Sequence, residues 1–152
     1  MSIVGNWYNE LGSQMQLNVS GSNVWGTYYT AVGTASGQYP LTGQSDSNPS
    51  KFSQALGWAV AWNNAYFGSS HSSTSWSGQY QTVAGSEEII AFWLLTTEVQ
   101  QQDNWEATQV GQDVFTRTQP SEEDIAKARA RRARSHPAAA AEAAGASYTQ
   151  SD

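Results

Sequence analysis

Polar side chains and tryptophans recur on the same parity along this sequence. In Ser72-Ser73-Thr74-Ser75-Trp76-Ser77-Gly78-Gln79-Tyr80, one face at period two carries Ser72, Thr74, Trp76, Gly78 and Tyr80. Period two marks a strand, whose successive side chains point to opposite faces. An ordinary half-buried strand sets Val, Ile or Leu on its inner face. Hydroxyls beside a Trp and a Tyr do not make a dry core, because each buried hydroxyl needs a partner. They suit a cavity wall that receives a ligand with both apolar and polar parts. An edge strand with one exposed Trp is the alternative. The pattern repeats: Trp7, Asn9, Leu11 and Ser13 share a parity, as do Tyr28, Thr30 and Val32. So do Trp58, Val60 and Trp62, then Trp93, Leu95 and Thr97, and finally Asp113 with Phe115. The chemistry on offer is recognition by aromatic walls and hydrogen bonds, with one carboxylate among the acceptors.

Catalysis fits these residues poorly. A glycosidase needs two carboxylates facing across a cleft. Glu87 and Glu88 are adjacent, so a strand would send them to opposite faces, and both are expected to face solvent. His71 reads as a loop residue without a catalytic role. No Ser-His-Asp order and no phosphate-binding loop stands out, and with no cysteine there is neither thiol chemistry nor a Cys metal site. The expectation is a protein that is not an enzyme and carries no metal and no cofactor.

The elements that position these residues are short strands separated by Gly, Asn and Ser. They are expected at about 5–10, 15–20, 23–31, 38–45, 55–64, 73–81, 88–97 and 107–118. The link Asn18-Val19-Ser20-Gly21-Ser22-Asn23 is hairpin turn chemistry. Eight antiparallel strands with short connections predict an all-β fold, an up-and-down β-barrel that removes sheet edges by closing on itself. The 152 residues are enough for one such domain, and the few charges and many tryptophans argue against disorder in its body.

Charge divides the chain at Pro120. Residues 1–120 hold Lys51 and Arg117 against eight acids, while residues 121–152 balance five of each. An acidic barrel of this kind is a poor partner for nucleic acid. No apolar run approaches the roughly 20 residues of a membrane helix, and Met1-Ser2-Ile3-Val4 lacks the form of a signal peptide. A secreted protein whose signal peptide is absent from this chain and a cytosolic one both stay open. Residues 121–152 read as a tail, helical at first and then low in complexity. Ser121-Glu122-Glu123-Asp124 forms a capping box, with acids at the helix start, bases at its end and Pro137 beyond. Its apolar face is mostly Ala, so the tail is expected to stand in solvent.

Seven runs, in this order, resemble the avidin family. They are Gly5-Asn6-Trp7-Tyr8-Asn9-Glu10-Leu11-Gly12-Ser13, Gly26-Thr27-Tyr28, Ala31-Val32-Gly33, Leu56-Gly57-Trp58-Ala59-Val60-Ala61-Trp62, Trp76-Ser77-Gly78-Gln79-Tyr80, Trp93-Leu94-Leu95-Thr96 and Val110-Gly111-Gln112-Asp113. The likeness covers about residues 4–119 and is nearest on its streptavidin side. It implies a barrel over 1–120 that binds biotin, as a ligand and not as a cofactor, at one open end, in a homotetramer. It implies secretion as well.

Carried onto this sequence, the resemblance implies that Asn9, Ser13 and Tyr28 donate to the ureido oxygen, and that Asp113 and Thr30 accept the ureido N–H groups. Thr74 would meet the ring sulfur and Ser72 the valeryl carboxylate, beneath a loop containing Val32, Thr34 and Ala35. Trp62, Trp76 and Trp93 would form the walls, with Leu11 and Leu95 counted in the same lining. Trp105 would reach a neighbouring subunit's site. Gln112 stands where the family member nearest in pattern has His, Thr34 replaces an Asn, and one residue is extra around Ala65 to Ser70. A carbohydrate-binding barrel is the alternative, since Trp faces and amides also suit sugars. A lipocalin-like carrier of apolar ligands fits less well with so many inward hydroxyls.

Overall fold

The computed structural model describes residues 2–30, 37–66 and 68–132. Its strands are β1 (Gly5–Asn9), β2 (Gln14–Ser20), β3 (Asn23–Tyr29), β4 (Gln38–Ser45), β5 (Ser53–Asn64), β6 (Gly68–Val83), β7 (Ser86–Thr97) and β8 (Thr108–Thr116). Each pairs antiparallel with its neighbours in sequence, and β8 returns to β1 to close the barrel. The expected architecture is the observed one. The β2–β3 turn needs only Gly21 and Ser22 between paired Ser20 and Asn23, and Gly21 takes φ +61°.

The parity read from sequence becomes inside and outside. Trp58, Val60 and Trp62 of β5 face inward, as do Thr74, Trp76 and Tyr80 of β6 and Ile89, Ala91, Trp93 and Leu95 of β7. Aromatic rings fill the centre edge to face and stacked. Trp76 stacks on Trp58 at 5.6 Å and on Tyr28 at 5.3 Å, while Trp62 meets Tyr28 and Tyr39 edge-on. Such offset and T-shaped contacts suit the ring quadrupoles and add to the burial of large apolar area.

One end of the barrel is plugged. The Arg117 guanidinium lies 3.7 Å from the Trp7 ring centre and donates to the carbonyl oxygens of Ser2, Val4 and Asn6. It also donates to Glu87, whose other oxygen accepts from the Tyr80 hydroxyl at 2.8 Å. Glu87 therefore does not simply face solvent as expected: its strand position brings it over the barrel end, where a cation and a phenol meet it. The Tyr80 bond and then Arg117 hold its carboxyl below the ordinary range, against the effect of burial.

At the opposite end β6 extends beyond the expected 73–81, because its Ser and Gly residues pair through the backbone and carry no apolar signal. Its register against β5 shifts between Ala61–Ser73 and Asn63–Ser69, a bulge that leaves Ser70, His71 and Ser72 opposite Trp62. His71 sits at φ 53° there, close to Glu98 at 3.6 Å.

The helix α1 (Glu122–Arg132) begins as its capping box predicts. Ser121 Oγ accepts the Asp124 N–H at 3.1 Å and donates to the Asp124 carboxylate at 2.9 Å. The expectation that this helix stands free in solvent fails at one point. Ala128 is only 4% exposed, and with Arg131 it borders a crevice shared with Glu10 and Val114 of the barrel. A small side chain allows that close approach, whereas the low apolarity of Ala hid it in the sequence. The rest of the tail, with Pro137 and the Ala-rich segment, lies outside the described residues.

Candidate functional site

The inner residues of β1, β3, β6, β7 and β8 bring polar side chains and indoles together inside the barrel. Just after β1 the chain turns back on itself, with Gly12 at φ +85°. The Asn9 carboxamide oxygen accepts the N–H groups of Leu11 at 3.1 Å and Ser13 at 2.9 Å. That ties its oxygen to the turn and puts its nitrogen on the other side. Asn9 and Ser13 are buried, and the Ser13 hydroxyl makes a hydrogen bond with that of Tyr28 on β3.

Burial pushes the Tyr28 hydroxyl pKa well above 10, and the nearby charges of Asp113 and Glu10 push it the same way, opposed by the Ser13 bond. Tyr28 is therefore a neutral phenol at neutral pH, with a hydroxyl hydrogen to give. The Asp113 carboxylate is thus near enough for its charge to act on Tyr28. Asp113, on β8, is 2% exposed, and its Oδ2 accepts the Trp76 indole N–H at 3.0 Å.

Along β6 the site continues toward the bulged end. Thr74 Oγ1 accepts the Trp62 indole N–H at 2.8 Å, which leaves its own hydrogen to be donated elsewhere. Ser72, half-buried, is 2.7 Å from Ser70 Oγ, which also bonds the Trp62 carbonyl oxygen at 3.2 Å. Trp93 lies opposite Gly111 in the β7–β8 register. A Cβ at position 111 would fall 2.1 Å from its ring, so glycine is what lets the indole lie flat on the wall. Leu11, Thr30 and Leu95 are buried as well.

The structure thus places Asn9, Leu11, Ser13, Tyr28, Thr30, Thr74, Trp62, Trp76, Trp93, Leu95 and Asp113 in the barrel interior, with Ser72 at its bulged end. Trp105 does not join them. It stands 82% exposed on a 3-10 helix, Gln101–Glu106, where a polar loop was expected. Val32, Thr34 and Ala35 lie outside the described residues. Sequence parity missed Glu10, whose carboxylate accepts the Val114 N–H beside Asp113 at 3.3 Å. Its position next to Asn9 at the β1 turn was the available signal. Among the described residues no cluster of His, Cys, Asp and Glu could hold a metal ion. The arrangement offers hydrogen-bond donors, one carboxylate and indole faces, and this is equipment for binding.

The family model described as Avidin family matches residues 1–118. Avidin of Gallus gallus is 33% identical over 129 residues, which cover 80% of this chain and 82% of avidin. Avidin-related protein 4/5 of the same organism is 35% identical over 121 residues, 76% of this chain and 77% of that protein. Avidin-related protein 2 of Gallus gallus is 34% identical over 127 residues, 80% and 81% respectively. These relatives are avidins and do not show the nearer likeness to streptavidin expected from the sequence runs.

Proposed function

The chain belongs to the avidin family of non-catalytic biotin-binding proteins, and on that premise we propose that its barrel cavity binds biotin with high affinity. What supports this is that Asp113 and the candidate donors Asn9, Ser13 and Tyr28 are all buried, with Ser13 bonded to Tyr28 and Asp113 near enough for its charge to act on Tyr28. A urea has one carbonyl oxygen and two N–H groups on opposite sides. The amide nitrogen of Asn9 and the hydroxyls of Ser13 and Tyr28 would meet the oxygen. Asp113 and Thr30 would accept the N–H groups, and the charged acceptor makes the stronger bond. Donors and carboxylate polarise the ureido group in the same sense, so each strengthens the other.

The rest of the molecule follows along β6. Thr74 has a hydrogen to give to the ring sulfur, Trp62, Trp76 and Trp93 enclose the apolar rings and chain, and Ser72 awaits the carboxylate. Titration calorimetry should give one biotin per chain, and an analogue lacking the ureido oxygen should bind far more weakly, since buried donors would be left unpaired. Comparable affinity for the two ligands would refute the reading. A sugar ligand has no observation here that favours it over a urea.

The same reading includes secretion and a homotetramer. Phe92 and Leu94 of β7 and Val110 of β8 are exposed on the outer wall, with Leu94 and Val110 in register, and Trp105 stands out nearby in sequence. An exposed apolar patch of this kind suits a second copy of the chain, with Trp105 reaching a neighbour's site. Light scattering should report four chains, and Trp105→Ala should quicken biotin release. A single-chain mass with biotin still tightly held would overturn the shared site.

A further inference from the structure

The barrel has a thin place in its wall, and it lies beside the polar end of the site. Among the described residues β1 and β8 pair only at Tyr8–Thr116 and Asn9–Phe115, whereas β7 and β8 stay in register from Glu88–Thr116 to Thr96–Thr108. After Asn9 the first strand turns away, and the next ladder position has no backbone partner from it. The Val114 N–H donates instead to the Glu10 carboxylate at 3.3 Å. Glu10 follows Asn9 in the chain and Val114 follows Asp113. One side chain therefore spans the seam between the two residues proposed to grip opposite sides of the ligand.

On the outer side, α1 borders the same crevice as this bridge. Ile125 is half-buried and Ala128 buried, at the i, i+3 spacing that puts both on one helix face. Ala128 and the basic Arg131 border the same crevice as Glu10 and Val114. We propose that Glu10 is a positioning residue and that α1 straps it in place, so that together they hold the β1–β8 seam shut and set how fast ligand leaves. Opening of this seam is a local event that does not require the long β5–β6 and β6–β7 ladders to break. It would part Asn9 from Asp113. A ligand gripped by both must in turn resist seam opening, because coupling of this kind is reciprocal. The half of the proposal that concerns release rests on the biotin reading.

The test uses the full chain and three variants: Glu10→Ala, Glu10→Gln and Ala128→Gln. Glu10→Gln keeps a side-chain oxygen for the Val114 N–H, while Ala128→Gln puts a long uncharged side chain where the helix meets the barrel. Amide exchange without ligand reads the seam directly. Glu10→Ala should speed exchange at Val114 about tenfold, the effect of losing one side-chain hydrogen bond. Ala128→Gln should speed it as well, and Glu10→Gln should stay near wild type. Biotin release should quicken severalfold in the same two variants, and bound biotin should slow Val114 exchange in the wild type. Unchanged Val114 exchange in Glu10→Ala or Ala128→Gln would overturn the strap. Faster exchange with unchanged release would overturn its control of the site. If the wild-type chain takes up no biotin, the functional reading falls, while the exchange comparison still decides the strap.

Discussion

Asp113 carries two loads that can be separated by substitution. In the free protein its Oδ2 is the acceptor for the Trp76 indole N–H, with both side chains 2% exposed. Asp113→Ala leaves that N–H buried without its acceptor, at a cost of about 1–3 kcal/mol in stability. In the proposed complex the carboxylate would be the charged acceptor of a ureido N–H. Losing it should cost about 2 kcal/mol of binding, roughly thirtyfold in Kd. Asp113→Asn divides these effects. Its amide oxygen can still accept from Trp76, so the melting temperature should recover much of the loss. Its NH2 group then faces a ligand donor, so affinity should be no better than in the Ala variant. Scanning calorimetry of the free proteins and biotin dissociation rates measure the two loads independently. Release from Asp113→Ala as slow as from wild type would show that the acceptor has been misassigned. Full affinity in Asp113→Asn would show that the charge plays no part.

Three further outcomes follow from the geometry. Gly111→Ala should displace the Trp93 ring, since the added Cβ would meet it at 2.1 Å, and overpacking of this kind costs about 1–3 kcal/mol; a melting temperature equal to wild type would contradict it. Because the Tyr28 pKa is raised, its neutral form stabilises the fold fully below the unfolded value of 10.0, and this stability drains away as pH rises beyond it. Tyr28→Phe should therefore flatten the alkaline stability curve, read by denaturant titration from neutral to high pH, and an unaltered slope would refute the assignment. Glu87 runs the other way: its lowered pKa means stability present above the ordinary glutamate value and lost as pH falls through the folded one. Glu87→Gln should flatten the acid limb slightly, the effect being screened at a partly exposed site, and leave biotin release unchanged.

The barrel was legible because period-two alternation states which side chains go inward, and Trp7, Trp58, Trp76 and Trp93 mark that side on four strands. The burial of the polar candidates was legible by the same rule, since Asn9 and Ser13 share parity with Trp7, Thr74 with Trp76, and Asp113 with Phe115. Which polar groups meet was not. Trp76 and Asp113 lie 37 residues apart, and only the β6–β7–β8 register brings them together. Parity was silent on Glu10 and Glu87 because their roles depend on reaching around an end of the sheet. It was silent on the Ser70–Ser72 bulge because serines carry no apolar periodicity. The seat of Ala128 was hidden for a related reason: a methyl group signals little hydrophobicity, yet its smallness is what permits contact.

Closure of the barrel by its first and last strands also orders events in time. Hairpins such as β2–β3 join residues close in sequence, whereas Asn9 must find Asp113 across nearly the whole of the domain, and contacts of such long sequence separation form slowly. A chain emerging from the ribosome would hold β1 unpaired on one side until β8 had been made, with an open edge exposed to other chains. Refolding monitored by amide protection and by biotin capture should show the central ladders formed before any ligand is held; capture preceding protection of β8 would contradict this order. The ligand thus arrives too late to guide the folding of the chain that binds it, and can only retain molecules that have already finished.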